Sequence, residues 1–352
     1  MNYLDEIVQN DMNRIDCKDL YSSISFDSKI MITGCNGMIA TYLIYYFLYL
    51  NDTYHYNLTI YAITRNREKT EYKFQDIWKR NDIIFIEHDV NNPFQFEFSI
   101  DYLFHLASSA DPKNILENPV DIIKANTIGL MNALEYARKK AIKRIIFSST
   151  REVYGKMDNN CEEVNEESLG ILDQMGVRAC YPESKKMSEC IIHSYYLQYN
   201  IPYTILRIAH SYGPGMPIKD DGRIMSDFIN NVVNSEDIML KSDGSAIRGF
   251  IYLSDMISGM LYATFVGEQN QIYNLANENE NISILDLAKL LLSLFPEKNL
   301  SLKYKKLSNK EKEAYCKFKR VKMNTDKLQK LGWKPYVSLK DGLYQTVKSF
   351  NQ

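Results

Sequence analysis

Residues 29–40, KIMITGCNGMIA, constrain this chain more than any other stretch. A short apolar run ends in Thr33, Gly34 follows at once, Gly37 stands three residues on and Ala40 takes a third small position. An apolar, helix-length segment, 38–50, continues behind them. Strand, glycine turn and helix in this order make a phosphate cradle. Gly34 gives the tight turn, Gly37 lets backbone N–H groups approach a pyrophosphate, and Ala40 keeps helix and strand close. The helix amino terminus then faces the phosphates, which places Asn36, Met38 and Ile39 at the same cofactor site. A tight turn without ligand is the bland alternative.

Apolar runs suited to buried parallel strands recur at 29–34, 58–64, 83–90, 102–108, 143–150 and 202–210, with helices over 38–50, 118–139 and 182–198 between them. Repeated strand, helix, strand predicts an α/β doubly wound parallel sheet with right-handed crossovers, a Rossmann domain over 29–210. Beyond residue 211 the texture turns to Gly and Pro turns, shorter strands and a helix near 283–295. A smaller, mixed α/β substrate-binding lobe over 211–352 is expected there, and an amphipathic cap over 1–28. The 352 residues, 45% of them apolar, are enough for about two such lobes.

Charge excludes some partners. Lys and Arg total 42 against 44 Asp and Glu, so no global field calls for nucleic acid or an anionic membrane. The longest apolar stretch falls short of the roughly 18 residues a membrane span needs. The amino terminus has no basic, apolar, small-residue leader pattern, and the expected compartment is the cytoplasm. Six cysteines without a C-x-x-C pair or metal-ligand spacing read as free thiols used in packing, and no metal is expected.

Cofactor choice is made at the end of the second strand, where an acid would bind a ribose 2′-hydroxyl and a base would favour a 2′-phosphate. The chain reads Thr64, Arg65, Asn66, Arg67, with no acid before Glu68. That leans from NAD toward NADP, with Arg65 as the phosphate ligand. Solvated turn charges are the equal alternative.

Tyr181 and Lys185 lie four apart in YPESK at the start of a helix, on one face. A tyrosine with pKa near ~10 acts as a base at neutral pH only if positive charge favours its phenolate; Lys185 and an oxidised nicotinamide would supply it. Thirty residues earlier SSTREVYG closes a strand with hydroxyls at Ser149 and Thr150.

TGCNGMIA, SST and YPESK, in this order, resemble the extended short-chain dehydrogenase/reductases. HDV (88–90), HLASSADP (105–112), STREVYG (149–155), RIAHSYGPG (207–215), DGSAIRGFIYLSD (243–255) and KLGWKP (330–335) are similar to the nucleotide-sugar branch, the NAD-dependent epimerase/dehydratase family. The resemblance implies that Asp89 and Val90 contact the adenine, Ala107 and Ser108 the cofactor backbone, and Lys185 the nicotinamide ribose. It implies Thr150 on the reacting sugar hydroxyl and Tyr181 as base. The implied reaction is oxidation of a nucleotide sugar at carbon 4, followed by epimerisation, loss of water from carbon 6, or loss of carbon 6 from a uronate.

Glu152 matches an acid present in UDP-glucuronate decarboxylases and 4,6-dehydratases, whereas 4-epimerases usually lack one there. Capping or ion pairing is its bland alternative. Arg151 departs from both patterns and could clamp a carboxylate, and the surrounding stretches favour the decarboxylases. A non-catalytic dinucleotide-binding regulator is the remoter reading. The resemblance places Arg223, Arg248 and Arg320 near the nucleotide diphosphate and Ser109 at the sugar. His210 stands where the family generally has Asn. The resemblance implies that the 118–139 and 182–198 helices pair between subunits of a homodimer; packing of their apolar faces within the subunit is the bland alternative.

Overall fold

The computed structural model describes residues 1–15, 20, 22–305 and 321–350. Seven strands run parallel in one sheet: β1 (Lys29–Thr33), β2 (Thr59–Thr64), β3 (Ile83–Glu87), β4 (Tyr102–His105), β5 (Arg144–Thr150), β6 (Tyr203–Ile208) and β7 (Gln271–Leu275). Their spatial order is β7-β6-β5-β4-β1-β2-β3. Ile, Leu and aromatic residues dominate these strands, as expected where both sheet faces are covered. The order reverses between β1 and β4, whose last residues, Thr33 and His105, are register partners. The crevice beyond those carboxyl ends is where such sheets take ligands.

Helices cover both faces. Helix α1 (Glu6–Ile15) buries Val8, Met12 and Ile15, as an amphipathic cap should. In α2 (Met38–Tyr54) every residue from 40 to 50 is buried, which explains why its apolar character runs all round rather than in one stripe. On the opposite face, α3 (Pro119–Lys140) and α4 (Cys180–Tyr199) pack against each other and against a core of Met31, Leu103, Leu134, Ile145 and Ile205.

Two boundaries differ from the sequence reading. The strand expected over 202–210 stops at Ile208, and His210–Tyr212 pairs instead with Phe250–Tyr252 in a separate parallel ribbon. Nor does the sheet end near residue 210, because β7 comes from 271–275 and pairs with β6. The fully buried helix Leu253–Leu261 returns with it, packing Met256, Ile257 and Met260 into the core that holds Ile32 and Phe104. Gly/Pro turns after 211 thus mark an excursion rather than a final departure. A separate core joins Phe228, Ile229 and Ile238 of the excursion to Leu287 and Leu343, which follow β7. The cysteines are not uniformly packing residues either: Cys35 is buried, but Cys161 and Cys180 are partly exposed and Cys190 is exposed. Cys17 and Cys316 lie outside the described residues.

Candidate active site

The glycine turn is built as its spacing requires. Gly34 has φ +70, and a Cβ there would stand 2.8 Å from the Ala107 Cα, so this turn and the β4 end approach as closely as backbones can. Gly37 caps α2 with no side-chain hydrogen bond, leaving the first amides of Met38 and Ile39 without a capping side chain. Thr33 fastens the two loops. Its hydroxyl accepts from the Leu106 and Ala107 N–H groups at 3.0 and 3.1 Å and donates to His105 Nδ1 at 3.2 Å. That fixes the His105 tautomer with the proton on Nε2, and burial holds the ring neutral, its pKa pushed down to about 3. His105 Nε2 and the Ser108 hydroxyl are buried and have no partner among the described residues. Two orphaned polar groups beside an uncapped helix terminus fit a polar ligand lying across the β1–β4 crevice.

Other cofactor positions fall around this crevice. Val90 is buried against Gly129 of α3, and its carbonyl accepts from Asn132 at 3.0 Å; Asp89 turns the loop by accepting from the Asn91 N–H at 2.9 Å. The Asn36 side chain does not face the crevice. It donates to Thr64 and Thr70 at 3.0 and 2.8 Å, tying the turn to the β2 end, while Lys73 donates to the Asn36 carbonyl at 2.8 Å. Arg65 is exposed at the end of β2, and Arg67 is drawn over the Trp78 ring at 5.3 Å.

The β5 end and the α4 start bring the catalytic candidates together. Thr150 is buried, accepts from the Glu152 N–H at 3.2 Å, and meets the Tyr181 phenol with its hydroxyl. Tyr181 is buried; burial and the Glu152 charge push its pKa up, while Thr150, Arg178 and Arg223 pull it down. Lys185 is 2% exposed, donates to the Ser148 carbonyl at 2.7 Å and lies 4.5 Å from the Phe147 ring centre. Burial pushes its pKa down to about 7, against the pull of Glu189. The positive charges that lower the phenol's pKa are Arg178 and Arg223, and the Lys185 ammonium donates to the Ser148 carbonyl.

Two residues that the sequence reading did not single out organise this corner. Arg178, just before α4, lies 3.3 and 3.5 Å from the two Glu152 oxygens. Its only sequence signal is a basic residue three before the tyrosine, and a lone Arg is ordinarily a solvated charge. Glu189 accepts from Ser149 Oγ at 2.5 Å and pairs with Arg207 at 2.7 Å; Arg207 also donates to the Tyr154 hydroxyl at 3.0 Å. This buried network joins α4, β5 and β6, and so holds Thr150 and Tyr181 in mutual register.

The substrate candidates are more scattered. Ser109 donates to Asp111 and accepts from Asn114 at 3.3 Å. Arg223 makes a two-point ion pair with Asp221 at 2.6 and 2.9 Å, and it bears electrostatically on Tyr181. Arg151 turns away from its neighbour Glu152, donating to the Val321 carbonyl at 3.3 Å. His210 and Arg248 lie close together, since His210 is the register partner of Phe250 and Arg248 precedes it by two; Arg248 donates to the Ile247 carbonyl at 2.8 Å. Arg320 falls outside the described residues.

A parallel sheet with a glycine-turn cradle, and a buried Tyr–Thr pair one helical turn from a buried lysine, define a dinucleotide-dependent enzyme of the short-chain dehydrogenase/reductase type. Comparison with known proteins narrows this. The model of the NAD dependent epimerase/dehydratase family matches residues 30–276. UDP-glucuronic acid decarboxylase 2 of Arabidopsis thaliana is 32% identical over 325 residues, 92% of this chain and 68% of that protein. UDP-glucuronic acid decarboxylase 5 of the same plant is 35% identical over 258 residues, 73% of this chain and 72% of that one. The crystal structure of UDP-glucuronic acid 4-epimerase from Bacillus cereus, in complex with UDP-glucuronic acid and NAD, superposes with a TM-score of 0.76 at 22% identity, covering 92% of this chain and 99% of that one. The chain belongs to the NAD dependent epimerase/dehydratase family, and it is a nucleotide-sugar-modifying enzyme that works with a nicotinamide dinucleotide.

Proposed function

We propose that this enzyme acts on a nucleotide-linked uronate, with UDP-glucuronate as the substrate and loss of carbon 6 as the outcome. The observation that carries this is the Arg178–Glu152 pair set against the Tyr181–Thr150 pair. A guanidinium held in place by one carboxylate is a ready partner for a second, planar and two-pronged, as a uronate offers. Tyr181 takes the proton of the carbon 4 hydroxyl, and Thr150 orients that hydroxyl. The bound nicotinamide supplies the acceptor for the hydride at carbon 4. Lys185, anchored on the Ser148 carbonyl, would hold the nicotinamide ribose through the N–H groups that this bond leaves over. A 4-keto uronate is a β-keto acid, so its carbon 6 leaves as carbon dioxide with electrons passing toward the ketone. Glu152 relays a solvent proton to carbon 5, and the hydride taken from carbon 4 would return to that carbon as Tyr181 gives its proton back to the oxygen, leaving a UDP-pentose and the dinucleotide in its starting oxidation state. His210, Arg223 and Arg248 receive the nucleotide diphosphate end. A mass-spectrometric screen of UDP-, GDP-, CDP- and TDP-linked hexoses and uronates tests the assignment: a UDP-pentose is expected from UDP-glucuronate alone, and an epimer or a 4-keto-6-deoxy product would replace it.

The cofactor preference assigned is for NADP, supported by the absence of an acid between Thr64 and Arg67 and by the exposed guanidinium of Arg65. Titration with both dinucleotides tests it, and tighter binding of NAD reverses it. The assembly assigned is a homodimer through α3 and α4, where Val120, Ile123, Ile128, Met131, Met187 and Leu197 are exposed. Sedimentation of a single 41.0 kDa species would remove that assignment.

A further inference from the structure

The amino-terminal fifteen residues lie outside the stretch matched by the family model, yet they touch both halves of the site. Helix α1 packs between α2, which carries the phosphate cradle, and the buried helix Leu253–Leu261. At its centre Asp11 is fully buried. One of its oxygens accepts from the Tyr42 hydroxyl of α2 at 2.9 Å and from the Tyr252 hydroxyl at 2.9 Å; the other accepts from Arg14 at 3.2 Å. Arg14 also donates to Gln345 at 3.1 Å, near the end of the last described helix, Leu339–Lys348. Ahead of the helix, Tyr3 donates its hydroxyl to Asp52 at 2.7 Å and its backbone N–H to Asp76 at 2.5 Å. The Met1 side chain lies on Gly215, where an added Cβ would stand 2.6 Å from its terminal methyl.

The far end of these contacts is not arbitrary. Tyr252 closes the strand Phe250–Tyr252, whose register partners are His210, Ser211 and Tyr212. Tyr212 and Tyr252 meet ring on edge at 5.6 Å. Asp11 and Met1 therefore grip the ribbon that carries His210, and the Gly213–Gly215 turn that follows it, with Arg248 two residues before the second strand. The near end of the same contacts is Tyr42, one helical turn past Met38. Hydrogen bonds from hydroxyls to a buried carboxylate are stronger than neutral ones, and leaving one partner unmade exposes the full cost of its desolvation. Burial raises the Asp11 pKa to about 6, which leaves it mainly ionised at neutral pH and able to accept from both tyrosines.

We propose that residues 1–15 are a strap, keyed on Asp11, that positions the His210–Gly215 ribbon over the dinucleotide half of the site and so sets affinity for the nucleotide sugar. The proposal rests on the reading that this ribbon faces the nucleotide end of the substrate. Asp11, Met1 and Tyr252 are positioning residues; none of them touches reacting atoms.

Tyr252→Phe tests it with little disturbance to packing, since only one hydroxyl is lost. The KM for UDP-glucuronate is expected to rise about tenfold, equivalent to about 1.4 kcal/mol, with kcat and dinucleotide affinity within about twofold of the parent. Amide hydrogen exchange over 210–215 and 250–252 is expected to quicken about tenfold while α2 keeps its protection. Asp11→Asn, which conserves shape and one acceptor, should fall between the parent and Asp11→Ala. Tyr45→Phe is the control, because that buried phenol has no hydrogen-bond partner among the described residues and its loss should move nothing. Faster exchange in α1 with an unchanged ribbon, or equal falls in kcat and kcat/KM with KM fixed, would overturn the strap. If the parent turns over no uronate, the substrate assignment fails, and exchange over the ribbon still decides the strap.

Discussion

Replacing Lys185 by Met gives the sharpest energetic prediction. The lysine is 2% exposed, with one hydrogen bond from its ammonium to Ser148 and the Phe147 ring close by. Its pKa falls from 10.5 to about 7 because burial penalises the charged form. The folded protein thus holds fewer protons than the unfolded chain between pH 7 and about 10.5, and stability rises with pH across that window. Each pKa unit is worth ~1.4 kcal/mol, so the buried amine costs about 4 kcal/mol at pH 7 and about 2 kcal/mol at pH 9. Methionine, of similar length and apolar, removes that cost and forfeits one hydrogen bond of about 1 kcal/mol. Lys185→Met should therefore be more stable than the parent by about 3 kcal/mol at pH 7, the gap narrowing to about 1 kcal/mol at pH 9. Urea unfolding at the two pH values, without dinucleotide, measures it. A gap independent of pH, or a variant less stable at pH 7, refutes the reasoning. The same variant should bind dinucleotide more weakly if Lys185 holds the nicotinamide ribose as proposed, and equilibrium titration measures it.

Three further outcomes follow from other parts of the fold. Arg207→Met leaves the Glu189 carboxylate buried without its ion pair, and thermal or urea unfolding should show a loss of about 3–5 kcal/mol. Glu152→Gln should slow carbon dioxide release from a uronate by about 10²-fold or more, with dinucleotide affinity unchanged by equilibrium titration; equal rates would remove Glu152 from the chemistry. Asp11 and Asp255 both have pKa values raised to about 6, chiefly by burial. The folded state then keeps protons that the unfolded chain releases near pH ~4, so stability is full below that pH and is lost as pH rises through about 6. Asp11→Asn should flatten the decline in urea midpoint between pH 4 and 6 by about half; an unaltered slope would show that Asp11 is not the group titrating.

Much of the dinucleotide half was legible because its chemistry is local. Gly34, Gly37 and the helix behind them form a contiguous signal, and the buried parallel strands are short apolar runs with turn residues at each end. The Tyr181–Lys185 spacing likewise fixes a shared helix face. What escaped the sequence is what depends on distant partners. The seventh strand, 271–275, is paired with residues 203–208 and looks from its own composition like any short strand of the second lobe. Arg178 and Glu152 are 26 residues apart, and Glu189 gains its meaning only from Ser149 and Arg207. Asp11 shares a helix face with Val8, Met12 and Ile15, and only the folded structure shows that Tyr42 and Tyr252 close over it. Arg151, singled out as a clamp for a carboxylate, donates from the tight turn at 151–154 to the Val321 carbonyl, a partner 170 residues away.

In the proposed reaction Tyr181 removes the carbon 4 hydroxyl proton of a UDP-linked uronate. Parent enzyme and Tyr181→Phe, each shown to bind dinucleotide equally, should be incubated with UDP-glucuronate while carbon dioxide and sugar products are quantified. Stoichiometric carbon dioxide and UDP-pentose from the parent, with neither from the variant, is the predicted result. No carbon dioxide and no keto sugar from the parent, or equal turnover by the variant, would contradict it.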